Sequence, residues 1–148
     1  MSQKGFLEAL RTHFTRAIPY AHACGMQIEE LDAKQAVLSM PYRESWLADI
    51  ERGLIHPGAI STLIDNTCGL ALMAAAGQFE RIATLDLRLD YLRPAVAPKA
   101  LHARAECYRM TSAIAFVRAS AWQDDREQPC AVSQAAFMRM PLKAALQK

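Results

Sequence analysis

The sequence predicts an α+β fold in which one long central helix is wrapped by a curved antiparallel sheet. Two observations predict it. Residues 57–76, PGAISTLIDNTCGLALMAAA, are apolar on nearly every side, and a helix apolar all round is a buried one. From residue 81 onward, three or four stretches alternate apolar and polar residues with period two, and no helical stretch separates them. Strands joined without helices run antiparallel, and one face of their sheet needs an apolar cover. The 57–76 helix supplies it. The 148 residues suffice for one domain, 1–148, and 52% hydrophobic with 22% charged content is globular rather than disordered.

The elements follow in order. Residues 4–18 place Phe6, Leu7, Leu10, Phe14 and Ile18 at spacings of three and four, an amphipathic helix that ends before Pro19. Strands are expected at 26–31 and 35–41, joined as a hairpin by the turn "DAK". Residues 42–56 read as a helical turn around Trp46 and Leu47, then a loop through Gly53. Pro57 suits the first position of the central helix, because its φ is already helical and no N–H is needed there; Gly77 suits its stop. In "RIATLDLRLDYLRP", Leu85, Leu87, Leu89 and Tyr91 alternate against Thr84, Asp86, Arg88 and Asp90. "ALHARAECYRM", "SAIAFVRASAW" and "CAVSQAAFMRM" complete the set, broken by "PAVAP" (94–98) and "QDDREQP" (123–129). A run of this kind is expected to be a simple meander.

The central helix holds one acid, Asp65. Its neighbours three and four residues away, Ser61, Thr62, Cys68 and Gly69, are all small and leave room for something to approach. No Lys or Arg lies in the segment, and an unpaired buried carboxylate is costly, so the position suggests function. A second local reading starts the helix at Asn66, with Asp65 as its N-cap and 58–64 as a strand. If the helix does begin at Pro57, its free amides at 58–60 form a partial positive end able to polarise a carbonyl. Asp65 then lies about 12 Å further along the axis, at ~1.5 Å per residue. One helix cannot offer both groups to the same atom. Two copies packed antiparallel about a two-fold axis can, which predicts a homodimer with shared sites.

A net charge of +2 gives no basic footprint for nucleic acid. His56, Asp65 and Asn66 interrupt the longest apolar stretch, so no membrane span is expected. The opening MSQKGFLEALRTHF has no signal-peptide pattern, and Cys24, Cys68, Cys107 and Cys130 lack metal-ligand spacing. Reduced thiols, a cytoplasmic location and neither metal nor cofactor are expected.

The pattern His56-Pro57-Gly58, with Leu63 and Asp65 following and "TLDLRLDYLRPA" downstream, resembles the hotdog-fold thioesterases over roughly residues 25–140. More closely, it resembles their phenylacetyl-CoA thioesterase-like (PaaI-type) branch. The resemblance implies hydrolysis of an acyl-CoA with a small aromatic or short-to-medium acyl group. It implies that Asp65 activates water or attacks the thioester carbon. Thr84, on the following strand, would help hold the water or the acid, and His56 would stand at the helix entrance. It also implies a homodimer that can pair again into a tetramer. Ser61 and Thr62 would border the substrate, and Arg93, Lys99 and Arg109 are candidates for the coenzyme A phosphates.

Two positions depart from the family pattern. The family takes an oxyanion donor from the amide after the histidine, and here Pro57 has none. An Asn about six residues before the histidine is replaced by Ile50. Gly58, with an amide and no side chain, is expected to take over. These departures favour the alternative of a non-catalytic acyl-thioester-binding protein.

Overall fold

The computed structural model describes residues 1–142. The chain runs through α1 (Gln3–Ala17), α2 (Pro19–Ala23), β1 (Gln27–Leu31), β2 (Gln35–Met40), β3 (Leu47–Asp49), β4 (Leu54–Ile55), α3 (Pro57–Ala76), β5 (Glu80–Tyr91), β6 (Leu101–Met110), β7 (Ile114–Trp122) and β8 (Ala131–Pro141). Helix α1 starts where the Ser2 hydroxyl accepts the Gly5 amide at 3.1 Å, and it buries Phe6, Leu10 and Phe14. Pro19 ends it and opens the short α2, an element the sequence reading missed. Asp32 makes the β1–β2 turn by accepting the amides of Lys34 and Gln35 at 2.7 and 3.0 Å. The stretch expected as a loop through Gly53 is a small β3–β4 hairpin. Gly53, at φ 63°, takes the left-handed turn conformation there.

Helix α3 begins at Pro57 and stops at Gly77, whose φ of 66° closes the C-terminus. The alternative start at Asn66 is therefore ruled out. Leu63, Ile64, Cys68, Leu70 and Leu72 are fully buried against the sheet. The helix is not buried on every face, as its composition suggests, because Ser61, Thr62, Asp65 and Asn66 form a half-exposed strip along one side. Length and composition would let α3 cross a bilayer, but most of its apolar surface already faces β2, β6 and β7.

The sheet has the order β1-β2-β6-β7-β8-β5, antiparallel throughout. Only β6, β7 and β8 form a meander. The expectation of one continuous meander fails at β5, which pairs with β8 at the sheet edge rather than with β6. Alternation of residues fixes which face a strand buries, not which strand lies beside it. The connection from β5 to β6 is anchored instead by loop contacts: Val96 N–H donates to Gln123 Oε1 and Ala97 N–H to the Gly53 carbonyl, both at 2.8 Å.

A second departure lies inside β5. The pairing with β8 shifts between Thr84 and Asp86, so Leu85 is a bulged residue. Strict alternation would put Thr84 opposite Leu87 and Leu89 in facing. The bulge turns Thr84 to the helix side, paired with the buried Phe137, and leaves Leu85 57% exposed.

Candidate active site

Thr84 Oγ1 donates to Asp65 Oδ1 at 2.8 Å, so the helix acid is held by the strand that follows it. The bond leaves Asp65 Oδ2 without a protein donor among the described residues. Asp65 is half-buried and Thr84 exposed, so the pair lies open at the free edge of the sheet rather than sealed in the core. Directly behind lies Cys68. Burial pushes its thiol far up, and the neighbouring Asp65 adds to the effect. A thiol held protonated is no nucleophile.

His56 is the N-cap of α3. Its Nδ1 accepts the Gly58 amide at 2.8 Å, and its carbonyl accepts the Ala59 amide at 2.9 Å. The free amide expected at Gly58 is therefore engaged: a histidine in the cap position reaches back over the first turn and takes it. Glycine permits this approach, since a Cβ at position 58 would stand 2.8 Å from His56 Nδ1. With Nδ1 accepting, a neutral His56 ring carries its proton on Nε2, and that N–H is the donor left for a ligand. Tyr91 Oη contacts the Pro57 carbonyl at 3.5 Å and ties the end of β5 to the helix entrance.

The two groups are not brought together within one chain. His56 and Asp65 sit on the same unbroken helix, separated by well over two turns. A cavity of about 200 Å³ is lined by His56, Gly58 and Thr62 from the helix, and by Trp46, Met40 and Cys24 from other elements. On the other side of the helix entrance, a groove of about 510 Å³ runs between Pro57, Ile60, Leu54, Tyr91 and Leu92. Asp65 borders neither.

The remaining candidates are dispersed. Ser61 Oγ donates to the Gly58 carbonyl at 3.0 Å, bracing the first turn. Thr62 lines the 200 Å³ cavity, and its carbonyl accepts from Asn66 at 2.9 Å. Arg93 lies on the 510 Å³ groove and donates to Gln128 at 2.9 Å. Lys99 is paired with Asp124. Arg109 is exposed with no side-chain partner among the described residues. Sequence reasoning missed Trp46, Met40 and Cys24 as cavity walls, because they come from three separate segments that only the tertiary fold joins.

The model of the thioesterase superfamily matches residues 52–130. A medium/long-chain acyl-CoA thioesterase of Escherichia coli, YigI, is 26% identical over 55% of this chain. That match spans 61% of the relative's own length. A solved protein from Pseudomonas aeruginosa is 41% identical, with 91% of this chain and 99% of that one covered and a TM-score of 0.80. The PaaI protein of the E. coli phenylacetic acid degradation operon shares the fold, with a TM-score of 0.80 at 17% identity over 94% of this chain and 96% of that one.

Proposed function

The chain belongs to the thioesterase superfamily, and on that premise we propose that it hydrolyses acyl-CoA thioesters with Asp65 as general base or nucleophile. The observation that carries the proposal is the Thr84–Asp65 hydrogen bond. It fixes one carboxylate oxygen and leaves the other open to the reacting centre. As general base, Asp65 takes a proton from water while the water oxygen attacks the thioester carbon. The carbon–sulfur bond then breaks, and the coenzyme A sulfur leaves and takes up a proton. The carbonyl oxygen needs a donor as it gains charge. Pro57 has none and the Gly58 amide is occupied, so the role falls to the Nε2–H of His56, which Gly58 orients.

The reading includes a second copy of the chain. Among the described residues, the twelve-residue strand β5 is an edge strand whose outer backbone groups have no strand partner, and its Leu85 is exposed. Such an edge is a template for another strand. Antiparallel pairing of two β5 edges would carry the helix entrance of one copy toward Asp65 of the other. For the coenzyme A phosphates, Arg109 is the cation best free to bind.

One observation favours a non-catalytic acyl-thioester-binding protein. Among the described residues, the backbone amides at the helix entrance are already consumed by His56. Incubation with a panel of acyl-CoAs, following release of free thiol, separates the two. Turnover supports the hydrolase; binding without thiol release supports the binding protein.

A further inference from the structure

Thioester hydrolysis leaves the helix entrance short of donors for the carbonyl oxygen. Pro57 has no N–H, His56 Nδ1 takes the Gly58 amide, and the His56 Nε2–H stands alone. One further hydroxyl lies at the same turn. Tyr91, the last residue of β5, brings its Oη to 3.5 Å from the Pro57 carbonyl. An O–H···O hydrogen bond of ordinary strength spans ~2.5–3.0 Å, so this contact holds the phenol only weakly. Tyr91 is 51% exposed and lines the groove beside Pro57 and Ile60. Its proton is free to be donated elsewhere.

Tyr91 cannot serve the Asp65 of its own chain. Thr84 marks that acid on β5, and at ~3.3 Å per residue Tyr91 lies about 20 Å further along the strand. A second copy paired at the β5 edge removes the distance. Ile82, Leu87 and Leu89 pack on the core and, with Thr84, define the helix side of the strand. Residues directly opposite in an antiparallel pair share a face, so two β5 edges must match helix side to helix side. Around the middle of the strand, Leu87 then stands opposite Leu87, Leu89 or Tyr91 of the second copy. Leu87 against Leu89 sets Tyr91 directly across from Thr84, because the bulged Leu85 drops out of the pairing count. Either neighbouring register leaves Tyr91 one helix-side residue away, a diagonal of ~7–8 Å within reach of an aromatic side chain.

We infer that Tyr91 is a catalytic residue of the partner's site: its phenol O–H, together with the His56 Nε2–H of the same copy, holds the thioester carbonyl oxygen while Asp65 of the other copy drives the attack. The inference rests on the acyl-CoA hydrolase reading with a site shared between two copies. Tyr91 supplies at this turn the donor that Pro57 lacks. The phenol keeps its proton throughout. It donates a hydrogen bond to the oxygen as negative charge gathers there, and that charge returns when the carbonyl re-forms and the carbon–sulfur bond breaks.

Thiol release by Tyr91→Phe tests the donor. Loss of one oxyanion donor is expected to lower kcat by about 10²- to 10³-fold. KM and the melting temperature are expected to stay near the parent's, since the bond forms in the transition state. Co-expression of Tyr91→Phe with Asp65→Asn, each under its own affinity tag, tests the sharing. Either variant alone carries a defect in both sites. The doubly tagged heterodimer assembles one whole site, with Asp65 from the first chain and Tyr91 from the second. Its expected rate is about half the parent's per dimer, because one of two sites is intact. A heterodimer as slow as either variant overturns the inference, as does failure to recover a doubly tagged species. A Tyr91→Phe chain with the parent's kcat overturns it too. A parent that releases no thiol removes the hydrolase reading and this role with it; a parent that turns over beside a slow heterodimer removes this role alone.

Discussion

Thr84 reaches Asp65 because Leu85 is bulged out of β5. Without the extra residue, a regular strand would point Thr84 away from α3, and the 2.8 Å bond could not form. The bulge does two things at one place: it aims a hydroxyl at the helix acid, and it puts a leucine on the sheet's free edge.

Removing the hydroxyl tests the first consequence. A hydrogen bond to a charged group contributes about 1.5–3 kcal/mol. Thr84→Val is expected to lower kcat/KM for thiol release by roughly 10- to 100-fold, while Thr84→Ser restores most of it. Unchanged kinetics in the valine variant would detach Thr84 from the mechanism.

Charging the edge tests the second. Leu85→Lys places a cation on an unpaired strand, a device that blocks edge-to-edge pairing. Light scattering is expected to show a loss of dimer, with activity falling in parallel. A variant that is strictly monomeric at assay concentration and fully active would end the shared-site proposal.

His56 has two roles that substitution can separate. His56→Ala removes the cap and is expected to cost about 0.5–2 kcal/mol in chemical denaturation. Asparagine caps well, so His56→Asn is expected to recover the stability but not the thiol-release rate. Recovery of both would leave His56 a cap and nothing more.

Glu80 and Arg139 clasp the start of β5 to the end of β8. The Glu80 side chain is fully buried, and Arg139 bonds it through two nitrogens, with Gln78 donating at 2.9 Å. Burial alone would push the Glu80 carboxyl up, but these bonds outweigh it and hold it below the usual glutamate range. A depressed value in the folded state contributes stability above the unfolded pKa of ~4.3, lost as pH falls through the folded value. The melting-temperature gap between the parent and Glu80→Gln is therefore expected to shrink as pH is lowered from 6 toward 3. Arg139→Met strands the buried carboxylate and is expected to destabilise by about 3–5 kcal/mol at neutral pH. A gap independent of pH would show that Glu80 is not the titrating group.

What could be read from sequence divides along physical lines. The stop of helix α3 at Gly77 was legible, because its backbone preference needs no tertiary partner, whereas the start stayed open between Pro57 and Asn66, since both Pro at a first helical position and Asp65 as an N-cap are sound local signals. The six strands of the main sheet were legible as strands, while the short β3 and β4 were not, and neither was the place of β5 beside β8, since neighbour order depends on contacts far apart in the chain. Asp65 and Thr84 could be nominated from their residue types and the family resemblance. The bulge that joins them could not, because Leu85 continues the apolar alternation without a break. The His56–Gly58 bond was hidden for a different reason: a free amide and a capped one have the same sequence.

The central claim is that the carboxylate of Asp65 drives thioester hydrolysis. The most direct measurement compares free-thiol release from acyl-CoA by the parent chain and by Asp65→Asn, a substitution that keeps the shape and an oxygen able to accept from Thr84. The account predicts measurable turnover in the parent and a loss of at least about 10²-fold in the variant. Equal rates for the two would contradict it.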